Sequence, residues 1–541
     1  MAHFVRHKVD SLNDIGENFM ALRSNLVNLD AMIKREDFAA SDAESSNFEN
    51  VSTISLRDFT QGGLIGPNLR KPDFQRETNH WAPEQVASLL ECFANGDLIP
   101  SVILWQSPTY LFVIDGGHRL SALKAWIEDD YGDGPTSQAF FGYQISDEQK
   151  KIAERVRALV NKRVGSWNHY QAKSTDENLD PAERKRLNAL ITRGLPIQWV
   201  KGDADKAESS FFKINTKGTP LDDIEELLLK SRKKPISIAA RAIIRAGKGH
   251  RYWSSFESDK ASEIEKIAKN LHSTLFDPEI KRPIKTLDLP LGGPKGVRTA
   301  LQVLIDMALI ASRDQTGHPK DLTATNDDLD GSETVKVLTK TLALARRITG
   351  NDDGSLGLHP AVYFYGPTGR HSGPMFMGTV SLIGRKISNN DKQFFQKFTK
   401  ARSKLEEILV IHKDLIATAT QKHVSSRRVG KYADLLDGLI NRINDGLSIS
   451  EAEIVELADL NGKIVTGSSN HAPKEFSDDV KSQSFIYTAL ASSIRCPLCN
   501  GYLDTEKSVS YDHIVRAREG GMGHPTNCQL THPYCNQSFK Q

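Results

Sequence analysis

The sequence predicts a multidomain α+β protein. With 541 residues, the chain is too long for a single hydrophobic core, which stops growing at roughly 250–300 residues. Residues 51–235 mix short β-rich runs with helical stretches, whereas 236–480 hold helical periodicity almost throughout. Four of the five cysteines crowd into the last tract, 481–541, which reads as a small module of its own. Residues 1–50 complete the organisation as a helical lead-in and linker. A hydrophobic content of 39% and a charged content of 26% suit packed cores in water and exclude a disordered chain. The formal net charge is only +2, so any surface for nucleic acid must be local.

Each segment has local reasons for its assignment. Leu22, Leu26, Leu29 and Met32 recur on one helical face, and the polar run SDAESSNFEN then predicts a linker. STISLRDF predicts a strand followed by a turn or a helix start. WAPEQVASLLECFANGD predicts a helix opened by Pro83 and closed by Gly96. SVILWQ and TYLFVI, separated by Ser107-Pro108, predict a hairpin. A Gly-containing turn divides ESSFFKINTKGTPLDDIEELLLK into two elements. In the middle region, NDKQFFQKFTKARSKLEEILVIHKDLI predicts a long helix. Ser450 and Glu453 form a capping box at the head of another, and LDLPLGGPKG and YGPTGRHSG are loops.

Cysteine placement and the absence of long apolar runs set the expected compartment. Cys92 stands alone, and Cys496, Cys499, Cys528 and Cys535 cluster, which is not how a disulfide-stapled secreted chain spreads its thiols. The opening MAHFVRHKVDSLNDIGENF lacks the apolar centre of a signal peptide, and no run of about 18 apolar residues offers a membrane span. The expected location is the cytoplasm, with no membrane partner.

The last tract carries the chemistry. Two knuckles, Cys496-x-x-Cys499 and His532-x-x-Cys535, can meet around one tetrahedral Zn²⁺, which replaces the core that so small a tract lacks. Cys528 competes with His532 for the fourth position. It lacks the two-residue spacing, so it is expected to be a buried apolar residue instead. Between the knuckles lie Asp512-His513 on a β-like run, a glycine-rich loop and Asn527; Asn536 follows Cys535. Hydrolysis of a phosphodiester needs an activated water and a cation on the phosphate. Adjacent residues on a strand face opposite ways, so Asp512 and His513 can divide those tasks. The oxygens of Asp512 and Asn536 suit Mg²⁺ or Mn²⁺.

These residues resemble the zinc-knuckle HNH (ββα-metal, His-Me finger) endonucleases. The resemblance implies His513 as general base, Asp512 and Asn536 as ligands of the catalytic cation, and Asn527 as the brace of the loop. Asn536 stands where the family name has its last His, and His532 where a Cys is usual. Arg516, Arg518 and His524 are candidates for phosphate contacts.

A second motif lies at VIDGGHRLSAL. A strand ends on Asp115-Gly116-Gly117-His118-Arg119 at the mouth of a helix, where free N–H groups and basic side chains suit a phosphate. It is not a P-loop, since no G-x-x-x-x-G-K-[ST] occurs. Together with KPDFQRETNHWAPEQ upstream and FFKINTKGTPLDDIE downstream, it resembles the N-terminal domain of GmrSD-type restriction enzymes, with its DGQQR motif on a ParB/sulfiredoxin-like fold. That resemblance implies a nucleoside triphosphate bound by Asp115, Gly116, Gly117, His118 and Arg119, with Gln75, Arg76 and Asn215 alongside. Gly117 and His118 replace the two glutamines, a form nearer to the Gly-x-x-Arg motif of ParB proteins.

The expected function is an NTP-regulated DNA endonuclease of modification-dependent, type IV-like restriction, acting against phage or foreign DNA. NTPase activity would belong to the N-terminal domain. A homodimer would supply a second centre for the second strand. One alternative is a ParB-like DNA-binding or scaffold protein whose zinc tail grips without cutting. Another is a toxin that cuts RNA.

Overall fold

The structure is a computed structural model that describes residues 26–539 except 37, 39–50, 61, 73–74, 76–77, 79–80, 142, 144, 203, 218–222, 249–251, 254, 295–296, 314–320 and 463–474. The chain separates into two compact units, Met1–Lys230 with Lys248–His250, and Ser231–Gly247 with Arg251–Gln541.

The first unit is built on a six-stranded mixed sheet of order β1-β3-β5-β4-β6-β2. Its strands are β1 (Arg35–Glu36), β2 (Thr53–Ser55), β3 (Leu69–Pro72), β4 (Val102–Gln106), β5 (Leu111–Asp115) and β6 (Gly194–Trp199). β4 and β5 form the expected antiparallel hairpin, with Leu104 opposite Val113 and Trp105 opposite Phe112. β3 pairs parallel with β5, and β6 parallel with β4. The period of two sorts the side chains. Val102, Leu104 and Val113 join a core with helices α1 (Pro83–Asn95) and α2 (Gly117–Glu128). Trp105, Phe112 and Ile114 face the other way, against Phe38 and against Ala207 and Phe211 of α3 (Ala204–Lys217). Burial on both faces is why these strands read as continuous apolar runs. Pro83 opens α1, and Gly96, left-handed at φ +84, closes it.

The lead-in differs from its expected helix. Leu22 lies outside the described residues. Val27 instead makes a bridge to Trp81, Asp30–Met32 is a single 3₁₀ turn, and Arg35–Glu36 is the edge strand. Val27, Leu29, Ala31, Met32 and Ile33 are all buried in the sheet's core. Tertiary burial on every side, rather than one amphipathic face, explains their spacing.

The second unit is helical up to its C-terminal tract. Every residue of α4 (Pro235–Ile244) is buried, and α5 (Ser258–Phe276) and α6 (Ser332–Ile348) pack against it. Beyond them, α7 (Gly373–Ser388) and α8 (Lys392–Ile411) both lean on α9 (Arg428–Asn444). The Ser450–Glu453 capping box is formed at the head of Glu451–Leu457.

One buried histidine gives this unit a pH signature. His359 is almost fully buried, and its Nδ1 accepts the Ala361 N–H at 3.2 Å, capping the short helix Pro360–Tyr363. Burial, helped by the nearby Lys413 and Arg402 charges, holds its imidazole down at about 3, against an ordinary 6.5. The stabilisation is therefore present above pH 6.5 and is lost as pH falls toward 3; it is on the order of 5 kcal/mol. His359→Asn keeps a capping oxygen but cannot titrate. Its thermal midpoint is expected to fall less than the wild type's between about pH 7 and about pH 4. Equal losses would refute this account.

Candidate functional site

The C-terminal tract is a short hairpin followed by one helical turn. β7 (Ser510–His513) and β8 (Cys528–Thr531) are antiparallel, pairing Asp512 with Gln529 and His513 with Cys528. The turn Cys535–Phe539 is π-helical. Strand alternation turns Asp512 inward, 8% exposed, and leaves Tyr511 and His513 on the open face. Gln529 donates from Nε2 to Asp512 Oδ2 at 2.8 Å. Asn536 donates from Nδ2 to Ser510 Oγ at 2.8 Å. Ser510 and Asp512 share a face of β7, so Asn536 arrives on the carboxylate's side of the hairpin.

Asn527 organises the loop between the strands. Its Oδ1 accepts the Val515 N–H at 2.7 Å, and its Nδ2 donates to Val515 O at 3.0 Å and Met522 O at 2.9 Å. Its backbone carbonyl accepts the Ile514 N–H at 2.9 Å. The residue after His513 is thus fixed from the far end of the loop. Arg518 is exposed and Arg516 half-buried, while the His524 ring accepts from Thr526 N and caps a local turn.

Beside the hairpin, Cys496, Cys499, His532 and Cys535 are buried with their ligand atoms within 4.8 Å of one another. Ligands of a tetrahedral Zn²⁺ stand about 3.7 Å apart when Zn–S is about 2.3 Å, so the donor set fits zinc in kind and spacing. His532 Nε2 donates to Tyr502 O at 2.9 Å, which turns Nδ1 toward the sulfurs, 3.3 Å from Cys499 Sγ. Burial lowers the His532 pKa, favouring the neutral ring that a metal needs. The three thiols hydrogen-bond one another and share their protons as a set, Cys496 held below its usual value and Cys499 and Cys535 pushed above theirs. The first knuckle closes through Cys496 N–H to Gly501 O at 2.9 Å and Asn500 N–H to Cys496 O at 2.7 Å, with Asn500 left-handed at φ +53. Cys528 corrects an expectation: it is exposed, on β8 opposite His513, because the outer face of this hairpin meets no core.

The tract is seated on the rest of its unit by polar contacts. Lys507 Nζ donates to Leu289 O at 2.8 Å and Asp277 O at 3.1 Å. Gly350 N donates to Ser508 Oγ at 2.8 Å, and Tyr534 N to Ser355 O at 2.9 Å. A fully buried ion pair on α8, Arg402 Nε to Glu406 Oε1 at 2.7 Å, lies under the first knuckle. Sequence reading missed it. The available signal was a charged i,i+4 pair in phase with Phe395, Phe398, Leu405 and Leu409, the apolar stripe of that helix.

In the first unit, the strand–turn–helix motif is formed. Gly116 caps α2 at φ +96, and a Cβ there would stand 2.6 Å from Val102 Cγ1, so conformation and space both require glycine. Arg119 folds back on Asp115 Oδ2 at 2.8 Å and on Ser101 O at 3.1 Å. His118 stacks on Trp81, ring centroids 5.3 Å apart. A Cβ on Gly117 would stand 3.4 Å from the Gln75 amide, which places Gln75 beside the turn. Gln75 Oε1 is buried with no hydrogen-bond partner among the described residues. Asn215 lies near the end of α3, and Arg76 is outside the described residues. Next to Gln75, a second unforeseen cluster joins Asp30 to Arg35 at 2.9 Å and to Lys71 at 2.7 Å, all buried, with Arg35 also donating to Gln75 O.

Residues 56–232 match the GmrSD restriction endonuclease N-terminal domain. The GmrSD-type match begins just after β2, spans β3 through β6, and includes Gln75, Asp115 to Arg119 and Asn215. It ends before the second unit's helices begin, so the Cys/His tract lies outside it. No curated protein and no solved structure matches the chain. Among the described residues, no helix is long and apolar enough to cross a membrane.

Proposed function

We propose that this chain is a restriction endonuclease acting in defence, which hydrolyses DNA phosphodiesters at the C-terminal hairpin, in the manner of an HNH module, under the control of a nucleoside triphosphate bound by the GmrSD-type domain. A restriction role, and with it DNA as partner, is supported by the GmrSD-type match. The cutting site is supported by one arrangement above all: Asp512 inward and His513 outward on β7, with Asn536 brought to the carboxylate's side next to the Cys₃His cluster.

The chemistry follows from these positions. His513 takes a proton from water, whose oxygen attacks phosphorus; the P–O3′ bond breaks and the 3′ oxygen gains a proton. The products carry 5′-phosphate and 3′-hydroxyl ends. Asn536 spends its NH₂ on Ser510 Oγ, so Oδ1 is what it offers, with Asp512, to a Mg²⁺ or Mn²⁺. Such a cation would neutralise charge on the phosphate and the leaving oxygen. Cys496, Cys499, His532 and Cys535 would hold a structural zinc that fixes Asn536 through its neighbour Cys535.

The test is plasmid cleavage with Mg²⁺ or Mn²⁺ on modified and unmodified DNA, beside RNA, with and without NTPs. Cation-dependent nicking or linearisation of DNA is expected. Binding that weakens with salt but never cuts would favour a zinc grip, and cutting of RNA alone a toxin. At the N-terminal site, an NTP at about a hundredfold its Kd is expected to stabilise wild type by about 2.7 kcal/mol. Thermal melts should show that rise lost in Arg119→Ala; a rise of the same size in the variant would remove Arg119 from the site.

A further inference from the structure

The buried pair on α8 has no partner in the helical packing that requires a charge. Arg402 is 1% exposed and Glu406 wholly buried, an arrangement that costs more than an apolar pair unless every polar atom is used. Nearly every polar atom is used, on one side by the 356–363 segment and on the other by the Cys/His tract. Arg402 donates through two further nitrogens to Leu356 O at 2.5 Å and Gly357 O at 2.8 Å. A Cβ on Gly501 would stand 2.5 Å from its Nε, so the first knuckle rests directly on the guanidinium. Glu406 Oε2 accepts the Tyr502 N–H at 2.6 Å, and Oε1 accepts the Tyr363 hydroxyl at 3.0 Å. The carbonyl of the same Tyr502 accepts His532 Nε2–H at 2.9 Å.

These contacts form one relay. Arg402 holds Glu406, Glu406 holds the Tyr502 backbone, and that backbone selects which His532 nitrogen carries the proton. We propose that Arg402 and Glu406 are positioning residues of the metal centre: through Tyr502 they fix the His532 imidazole with Nδ1 toward Cys496, Cys499 and Cys535, and so set how tightly the ion is kept. The proposal rests on the zinc reading of the cluster. Partners that orient a ligating histidine typically change metal affinity by about 10–100-fold.

The experiment uses the full chain, loaded with zinc or with cobalt(II), and three variants. Glu406→Ala is expected to speed zinc release to a colorimetric chelator by about 10–100-fold and to shift the cobalt(II) d–d bands. Glu406→Gln, which keeps volume and one acceptor, is expected to fall between it and wild type and guards against a variant that fails to fold. Tyr363→Phe deletes an equally buried hydrogen bond to the same carboxylate, away from Tyr502. It is expected to lower the melting temperature yet release zinc at the wild-type rate. If both Glu406 variants release zinc at the wild-type rate with unchanged cobalt spectra, the positioning role is overturned while the zinc reading stands. If Tyr363→Phe releases zinc as fast as they do, the effect is one of general stability and the relay is overturned. If wild type itself holds no stoichiometric metal, the zinc reading falls, and the relay with it.

Discussion

His513→Ala is expected to lower the rate of DNA cleavage by about 10²–10⁴-fold, the range that a positioned general base contributes. His513 is exposed at the end of β7, paired across the hairpin with Cys528 and not with a core residue. Its truncation therefore removes chemistry with little cost in packing. Zinc content and thermal midpoint should stay at wild-type values, which separates loss of the base from loss of the fold. Single-turnover nicking of a plasmid, followed across Mg²⁺ concentrations, gives the comparison. Asp512→Asn is the companion variant. It keeps an acceptor for Gln529 while removing a charge, so it should raise the Mg²⁺ concentration needed for half-maximal cutting. Cleavage at full rate by His513→Ala would remove the hairpin as the cutting site.

Loss of the zinc site should have the largest effect on structure. The tract's own core consists of Cys496, Cys499, Leu503 and Cys535, with Leu498 and Leu530 packed against it. Three of those four residues are cysteines of the candidate metal site, so apolar burial alone supplies little. Structural zinc is worth about 10–16 kcal/mol in small domains at neutral pH. Cys499→Ala, or exhaustive chelation, is therefore expected to open the β7–β8 hairpin and abolish cleavage. Hydrogen exchange checks this: amides of 510–531 should lose protection, while those of β4 and β5 in the first unit keep theirs. Retained protection at Asp512 and Thr531 in metal-free protein would show that the hairpin is held by its docking contacts alone.

What could be read from the sequence follows a physical division. Local signals were legible. Pro83 and Gly96 bracket α1, Ser107-Pro108 separates the two strands of a hairpin, and Ser450 and Glu453 cap their helix, since each is decided within a few residues. The two knuckles were legible because metal spacing is also local, and the structure brings all four residues together. Long-range decisions were not. Leu29 and Met32 suit a helical face, but burial against β3 and α1 draws their segment into a turn and an edge strand. Cys528 looked apolar by type, and only the hairpin's register puts it on an open face. Arg402 and Glu406 carry no motif that singles them out in the sequence. Their phase on the apolar stripe turns them inward, but the partners that make use of their charge, Tyr502 and Gly501, lie about a hundred residues further on and cannot be inferred from helix periodicity.

The seating of the tract has a consequence for inheritance. A tail held by Lys507 on the carbonyls of Asp277 and Leu289, by Ser508 and Tyr534 on the 349–357 segment, and by Glu406 beneath its first knuckle is not a detachable cassette. Recombination that exchanged only the last fifty or so codons would deliver the Cys₃His cluster without the surface that receives it. Lineages of this architecture should therefore exchange the helical region and the tail as one block, with crossovers expected near the junction of the two units and not at the first knuckle.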